Sequence, residues 1–521
     1  MLATDKCFSK LYGTFVSGSR KMICVNPVVR GFYPDPSVCA ANGKFYLVNS
    51  TFEYFPGLPI FESEDLVHWN QIGHCLTRQS QLDVRGVEAS GGIYAPTIRY
   101  NNGRFYVVVT NVSNDFGNFY VWTDDIHSGK WSDPIKVQRG GIDPSLLFDG
   151  DKTYFVSNGT DDFGEEGISL CEIDIATGKT LSPAKCISKG CGGRYLEGPH
   201  VYHINEYYYL MVAEGGTEYG HMECMLRSKN IWGPYEMCPF NPILTNRNLG
   251  GYHIQGAGHA DLVEGPDGQW FMVHLAFRQI GQYLTFHNLG RETFLEPVFW
   301  TENGWIKVGD DGTCRAQWKL ENGKCTTLSE PAYPEYHWTL NKNRAVYLRL
   351  PIYENYKIDS DTKTVEIKGH GDFLGTCGQA SFVGMRQEEH VGKMEATVFV
   401  DSMEENQEAG ITAYLTEKDF YASYIRKSNG KIFAGTKLVI GGHCVPGKEF
   451  LVDGKTVELK IQSDRDNYFL TASAEGKVSE STGQTKFLSS EVACGFTGTI
   501  LALYANAAPD GKTSWTKFVW S

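Results

Sequence analysis

The sequence lacks several features that would assign a protein directly to a large class. Its 521 residues contain no uninterrupted apolar run of about twenty residues, the length that crosses a bilayer as a helix. Basic residues are in the minority, with 48 Lys and Arg against 61 Asp and Glu, so the net charge of −13 would repel a nucleic-acid backbone. These absences argue against a membrane partner and against a nucleic-acid partner.

The cysteines follow no binding pattern. The 14 cysteines form no CxxC pair and no Cys/His cluster at zinc-binding spacing, and a chain of this length needs no disulfides to be stable. Residues 1–25 contain Lys6, Lys10 and Arg20 but no apolar stretch long enough for the core of a secretory signal. We therefore expect reduced thiols and a cytoplasmic protein.

Aromatic residues and glycine are plentiful. Aromatics make up 13% of the chain, and there are 57 glycines. Aromatic residues favour strands and glycine favours tight turns, so this composition predicts an all-β protein.

Five similar segments repeat along the first three hundred residues. Each is a turn that leads into aromatic and β-branched residues, and the five turns lie at Gly43, Gly103, Asp151, Asn205 and Gly268. A shorter strand precedes each one by about ten residues, and these strands begin near Asp35, Ala95, Asp143, Gly198 and His259. The units recur about every 50 to 60 residues, a period typical of propeller blades. The repeats predict a five-bladed β-propeller.

The start of the first strand in each unit carries polar residues. In a propeller this strand lines the central channel, so equivalent positions in different blades become neighbours. The residues at or beside these positions are Asp35, Tyr94, Asp143, Glu197 and His259. A single Asp before Pro can simply begin a turn, but three carboxylates at matched positions predict one axial site.

Three clustered carboxylates suit the acid–base hydrolysis of an acetal. One carboxyl protonates the leaving oxygen while another activates water. Metal binding is the alternative, although a hard cation takes six or more oxygen ligands in a compact set.

The remaining third of the chain has a different pattern. From about residue 330 the repeat is lost, and apolar residues alternate with polar ones, as in 393–400 and 456–461. Such strands suit a β-sandwich. We predict a propeller over residues 24–315 and a sandwich over residues 330–521.

The propeller part contains five recognisable motifs. They are Gly31-Phe-Tyr-Pro-Asp35-Pro-Ser, Gly141-Ile-Asp143-Pro-Ser, Tyr195-Leu-Glu197-Gly-Pro-His, Ala257-Gly-His259-Ala-Asp and Leu289-Gly-Arg291-Glu-Thr. Together they closely resemble the signature segments of glycoside hydrolase family 43. Gly495-Phe496-Thr-Gly resembles a segment of the family's two-domain β-xylosidases, whose second domain is a concanavalin-like sandwich.

The resemblance implies a role for each polar residue. Asp35 would be the general base, Glu197 the general acid, and Asp143 the pKa modulator that also orients the acid. Arg291 would bind hydroxyl groups of the terminal sugar. The family inverts the anomeric centre, so the base and the acid should be far enough apart to admit a water molecule.

The resemblance also implies how the pocket is lined. Phe52, Tyr94 and Thr217 match pocket positions, and Phe496 of the sandwich would close the site, which favours an exo-acting enzyme. No cofactor is required. A structural calcium ion beside His259 in the channel is one option, and a histidine satisfied within the core is the other.

The substrate follows less directly. Tyr94 stands where β-xylosidases of this family carry Trp, and the segment 158–164 lacks their Trp near the aglycone. Both departures resemble a sister group of α-L-arabinofuranosidases. We therefore expect removal of terminal β-D-xylosyl or α-L-arabinofuranosyl residues from xylo-oligosaccharides or arabinoxylan fragments.

Two other functions stay open from the sequence. One is a fructan-cleaving propeller enzyme, and the other is a non-catalytic carbohydrate-binding propeller. In each case the partner is a small oligosaccharide, and a homo-oligomer is an open expectation.

Overall fold

The computed structural model describes residues 21–113, 116–281, 283–401, 403–508 and 511–521. The sequence predicts no secretory signal in residues 1–25, and residues 1–20 of that segment lie outside the described residues. Within the described part, helix is limited to two 3₁₀ turns, Tyr353–Asn355 and Thr485–Leu488, and one short helix, Ser490–Ala493. None of the described helices has the length and apolar character that crossing a membrane requires. The all-β prediction is confirmed.

Five four-stranded antiparallel sheets follow one another along the chain after a short strand, β1 (Met22–Val25). The first sheet contains β2 (Ser37–Ala41), β3 (Lys44–Val48), β5 (Gly57–Ser63) and β6 (Asn70–Leu76), with β4 (Tyr54–Phe55) before β5. The second contains β7 (Thr97–Asn101), β8 (Arg104–Asn111), β9 (Gly117–Thr123) and β10 (Ile135–Lys136).

The other three sheets are built in the same way. The third contains β11 (Ile142–Asp149), β12 (Lys152–Thr160), β13 (Glu166–Ile173) and β14 (Lys185–Ser188). The fourth contains β15 (Glu197–Ile204), β16 (Tyr207–Glu214), β17 (Met222–Ser228) and β18 (Glu236–Met237). The fifth contains β19 (Ile254–Glu264), β20 (Trp270–Arg278), β21 (Glu292–Trp300) and β22 (Ile306–Val308).

The first strands of the five sheets form a closed ring. β2 contacts β7, β7 contacts β11, β11 contacts β15, β15 contacts β19, and β19 returns to β2. The five aromatic segments found in the sequence are the second strands, β3, β8, β12, β16 and β20. The predicted five-bladed propeller is confirmed.

The burial pattern explains why those second strands are so apolar. β8 and β20 are buried along nearly their whole length, because each blade packs between two neighbours and both of its faces are covered. In the second domain, β36 (Thr456–Asp464) instead alternates buried and accessible residues, as a strand with one covered face does.

The chain before the first blade binds the last blade. The backbone N–H of Val28 donates to the Thr293 carbonyl at 2.9 Å, and the Asn26 side chain donates to the Leu295 carbonyl at 3.1 Å. β1 also pairs with β23 (Gln317–Glu321), which pairs with β24 (Lys324–Thr327). These contacts connect the two ends of the propeller.

Two sheets form the C-terminal β-sandwich, and its prediction is confirmed. One contains β25 (Tyr336–His337), β27 (Tyr356–Asp359), β28 (Thr364–Lys368), β30 (Val391–Phe399), β36, β37 (Asn467–Ala474), β38 (Lys477–Gln484) and β40 (Trp515–Trp520). The other contains β29 (Ser381–Arg386), β31 (Glu408–Thr416), β32 (Asp419–Ser428), β33 (Lys431–Ile440), β34 (His443–Pro446), β35 (Phe450–Val452) and β39 (Ile500–Ala505). Their inner faces enclose the largest apolar core of the described residues.

The sandwich packs closely against the propeller. β26 (Tyr347–Leu348) pairs with β4 of the first blade. A Cβ atom at Gly498 would lie 2.3 Å from the Leu289 carbonyl oxygen, so the two backbones meet at a distance that only glycine allows. This contact brings the segment around Phe496 to the mouth of the propeller.

A buried polar network fills the channel. Arg99 binds Asp261 through two hydrogen bonds, of 2.7 and 3.2 Å, and donates to His200 at 2.9 Å. Ser37 and Tyr202 each donate to Asp261 at 2.5 Å, and the remaining blade contributes Ser145, which lies 3.1 Å from His200. All five first strands therefore contribute to one network.

We expect Asp261→Ala to lower the free energy of unfolding by about 3–5 kcal/mol, because it leaves the Arg99 charge buried without a partner. Urea denaturation measures this change. Asp124→Ala is the matched control, since Asp124 pairs with Arg104 at the surface, where its side chain is 64% exposed, and we expect a much smaller loss there because solvent screens exposed ion pairs. Equal losses in the two variants would contradict a special role for the channel network.

Candidate active site

One small pocket contains every site residue that the sequence predicts. Its volume is about 120 Å³, and it lies where the first strands begin. The predicted residues that line it are Asp35, Phe52, Tyr94, Asp143, Glu197, Thr217, His259, Arg291 and Phe496. A larger cavity of about 570 Å³ lies where the N-terminal segment and the first blade meet the second domain, but its lining contains no such carboxylate cluster.

The backbone at the start of the first strands is strained in the same way in several blades. Asp35, Asp143 and His259 have φ values of 52°, 54° and 51°, in the left-handed region that residues other than glycine rarely adopt. The fourth blade places Gly198 there, with φ of 58°, so Glu197 precedes the turn. Strain of this kind collects at functional sites, where the surrounding structure holds it.

Asp35 lies in a strongly cationic environment. Its Oδ1 is 2.9 Å from Nη1 of Arg291, and the Ser50 hydroxyl donates to its Oδ2. Burial alone would raise the pKa of Asp35, but the charges of Arg291 and His259 and the Ser50 hydrogen bond outweigh it and lower the pKa below its ordinary value. Asp35 is therefore an ionised carboxylate, as a base must be.

Arg291 connects the base to the rest of the pocket. Besides Asp35, its Nη1 donates to Thr217 at 2.8 Å, and its Nη2 donates to the Phe496 carbonyl at 3.2 Å. The guanidinium lies 5.7 Å from the ring centroids of both Phe52 and Phe496. One side chain thus holds propeller and sandwich together at the catalytic end of the channel.

Asp143 has the opposite electrostatics. Burial is the largest cause that raises its pKa to about 7, and the charges of Glu197 and Asp35 raise it further, against the lowering effects of His259 and a 3.1 Å hydrogen bond from the Gly198 N–H. Since like charges this close cannot all ionise, the carboxyl group of Asp143 retains a proton up to near neutral pH.

Glu197 faces a histidine that the sequence repeats did not reveal. Nε2 of His221 lies 3.6 Å from Oε1 of Glu197, and neither atom has a hydrogen-bond partner. The Nδ1 of His221 lies 3.0 Å from the Gly256 carbonyl, which can only accept, so Nδ1 carries a proton and Nε2 is the nitrogen that faces Glu197. His221 precedes β17, a third strand, and first-strand repeats cannot find it.

The loop before Glu197 is held by a buried acid. The backbone N–H groups of Cys191 and Gly193 both donate to the carboxylate of Glu214, which is fully buried. A Cβ atom at Gly193 would lie 2.4 Å from that carboxylate, so the glycine is needed for the close approach. The glycine-rich loop thereby fixes the direction in which the chain enters Glu197.

His259 lies in the channel against Gly198, and 6% of it is exposed. Within the described residues, it belongs to none of the groups that bring three His, Cys, Asp or Glu ligand atoms within 4.8 Å of one another. Calcium takes six to eight oxygen ligands, and these side chains do not supply such a shell. The calcium ion stays a prediction, and no step below depends on it.

Two family profiles match this chain, one in the propeller and one in the sandwich. The sequence profile of glycosyl hydrolases family 43 matches residues 24–306. The profile of the β-xylosidase C-terminal concanavalin A-like domain matches residues 344–521.

Individual relatives are similar over nearly the whole chain. A non-reducing-end α-L-arabinofuranosidase of Bacteroides ovatus is 38% identical over 503 residues, covering 95% of this chain and 93% of that protein. A xylosidase/arabinosidase of Butyrivibrio fibrisolvens is 34% identical over 515 residues, covering 95% and 97%. Among solved structures, Bacteroides ovatus xyloglucan PUL GH43B has a TM-score of 0.85 at 36% identity, covering 96% of this chain and 99% of that one.

The raised pKa of Asp143 predicts a pH-dependent effect on stability. Between pH 4 and 7 the folded protein retains a proton that the unfolded chain releases, so this group lowers the stability as pH rises through that window. Asp143→Asn removes the effect, and its stability relative to the wild type should increase from pH 5 to pH 8, by at most about 3 kcal/mol. Melting temperatures across this range test it, with the exposed Asp151→Asn as control. A difference that does not change with pH would contradict the assignment.

Proposed function

This chain belongs to glycoside hydrolase family 43, and on that premise we propose that it removes single α-L-arabinofuranosyl or β-D-xylosyl residues from the non-reducing ends of xylan-type oligosaccharides. It is a glycosidase. Membership of this family sets aside both the fructan-cleaving enzyme and the non-catalytic propeller.

The observation that carries the exo-action is the closure of the pocket. Its volume of about 120 Å³ is well below the roughly 300–1,000 Å³ of pockets for drug-sized ligands, so it suits one sugar ring and not a chain of them. The ring of Phe496 stacks on Phe52 at 5.9 Å and meets the edge of Tyr94 at 6.1 Å, which blocks one side. A chain end can enter, and a polymer cannot pass through.

The charges support a division of labour among the carboxyls. Asp35, ionised beside Arg291, takes a proton from water as the water attacks the anomeric carbon. Glu197 gives a proton to the leaving oxygen on the other side of the sugar, which inverts the anomeric centre. Asp143 lies beside Glu197, so the charge on either carboxyl disfavours the charge on the other. Asp143 also accepts a hydrogen bond from the N–H of Gly198, the residue after Glu197, and this contact positions the acid.

His221 would assist the acid. Its Nε2 lies 3.6 Å from Oε1 of Glu197, and the bond between its Nδ1 and the Gly256 carbonyl fixes the ring, so His221 can orient the carboxyl for proton transfer.

Substrate choice rests on the pocket wall. Tyr94 contributes a ring and a hydroxyl where a larger indole would leave less space, and this supports acceptance of the arabinofuranosyl ring as well as the xylosyl ring. The relatives above include an α-L-arabinofuranosidase and a xylosidase/arabinosidase. All thirteen cysteines of the described residues are free thiols, which supports our proposal of a reducing, cytoplasmic location.

We expect the protein to cleave both an aryl α-L-arabinofuranoside and an aryl β-D-xyloside. Initial rates measured in parallel test the substrate class, and proton NMR of the first product tests inversion at the anomeric carbon. Failure to cleave either compound would refute the substrate proposal while leaving the family membership unaffected.

Glu197→Gln should lower kcat/KM on oligosaccharides by about 10²- to 10⁴-fold, because the leaving oxygen then receives no proton. On a dinitrophenyl glycoside the loss should be much smaller, since that phenolate leaves without protonation. Glu236→Gln, on the outermost strand of the same blade, is the matched control and should leave both rates unchanged. An equal loss on both substrates would remove Glu197 from the role of acid.

A further inference from the structure

A second cluster of reactive side chains lies in the fifth blade, outside the catalytic pocket. One ring nitrogen of His274, one carboxylate oxygen of Glu296 and the sulfur of Cys314 lie within 4.8 Å of one another. His274 and Cys314 are 0% exposed and Glu296 is 1% exposed. Their surroundings are apolar, including Met272 and Phe294. Such polar groups are rarely buried together without a partner that satisfies them.

The hydrogen bonding of His274 distinguishes a metal site from a neutral network. Its Nδ1 lies 2.9 Å from the Leu275 carbonyl, so Nδ1 carries the proton and Nε2 carries the lone pair. Nε2 is buried and has no hydrogen-bond partner. In a neutral network the carboxyl of Glu296 or the thiol of Cys314 would donate to this lone pair.

Each of the three residues is also held by a second group. Glu296 accepts from the Arg315 N–H at 3.1 Å and from the Asn26 side chain at 3.3 Å. The Asn246 amide binds both sides of Cys314, accepting from its N–H at 2.8 Å and donating to its carbonyl at 3.0 Å. Outer contacts of this kind, including a carbonyl on the far nitrogen of the histidine, orient the ligands of metal sites.

We propose that His274, Glu296 and Cys314 bind one divalent transition-metal ion of the zinc type. Imidazole, carboxylate and thiolate are the ligands that zinc uses, whereas calcium and magnesium take oxygen ligands. On binding, Cys314 and Glu296 are deprotonated, and their two negative charges balance those of the ion.

The ion has a structural role in this position. His274 lies on β20 and Glu296 on β21, while Cys314 belongs to the segment between β22 and β23. Asn26, from the chain before the first blade, contacts the same carboxylate. The ion therefore joins the last blade to both ends of the propeller, away from the sugar pocket.

A second group in the described residues provides an internal control. Cys191, Glu214 and Cys224 also lie within 4.8 Å of one another. There, both oxygens of Glu214 accept from backbone N–H groups, and the sulfur of Cys191 accepts from Asn241 at 3.2 Å. Because both oxygens of Glu214 are engaged, and the group has no buried nitrogen or oxygen without a partner to compare with Nε2 of His274, we assign no metal to it.

The test uses the full chain produced in medium with added cobalt or zinc, so that a buried site is filled during folding. We expect about one ion per chain by elemental analysis, a thiolate-to-cobalt absorption band in the near ultraviolet, and a melting temperature that a chelator lowers. Cys314→Ser and His274→Gln should lose the ion, the band and the effect of the chelator. Cys191→Ser should retain all three.

Glycosidase activity and circular dichroism report whether each variant is folded, and Cys314→Ala replaces Cys314→Ser if the latter is not. The proposal is overturned if the wild type retains neither metal, if Cys314→Ser keeps the cobalt band, or if Cys191→Ser loses it. None of these outcomes depends on which sugar the enzyme cleaves.

Discussion

The bidentate ion pair between Arg99 and Asp261 is the contact on which the architecture of the pocket depends. It lies in the channel, where Asp261 is fully buried, and hydroxyl or imidazole groups from the other three blades complete it. Burial would raise the pKa of Asp261, but Arg99 and its other partners hold that pKa far below the ordinary value. A charge so well compensated fixes the positions of five strands at once. The network residues Ser37, Ser145 and Asp261 lie two residues after Asp35, Asp143 and His259. The network therefore helps to position these three pocket residues.

The two aspartates of the pocket show how similar sequences acquire different chemistry. Both are followed by Pro-Ser, and both have the same strained backbone angle. Burial raises the pKa of both, but Arg291 and Ser50 outweigh it at Asp35 and keep that group ionised, whereas at Asp143 burial and two nearby carboxyls outweigh the charge of His259. Proximity to charge, and not residue type, separates a base from a group that holds a proton.

The sandwich acts as part of the active site. Its backbone meets the propeller at Gly290 and Gly498, where a side chain would collide, and the Ser90 hydroxyl accepts from the N–H of Phe496 at 2.8 Å. Arg291 then binds the Phe496 carbonyl. The pocket therefore has a wall from a second domain, positioned by backbone contacts that allow little movement, which agrees with action at chain ends.

The resemblance to the family supplied Arg291, Phe52, Thr217 and Phe496 as pocket residues. The sequence by itself determined the fold class, the five blades and the convergence of Asp35, Tyr94, Asp143, Glu197 and His259. This was possible because blades repeat, and equivalent positions in a closed ring must be neighbours. The tertiary structure decided the rest. His221 lies just before a third strand, where no first-strand repeat marks it. The charge state of each carboxyl depends on burial and on partners up to 256 residues away, as in the pair of Asp35 with Arg291. Periodicity records local structure, whereas a pKa is set by whatever the fold brings close in space.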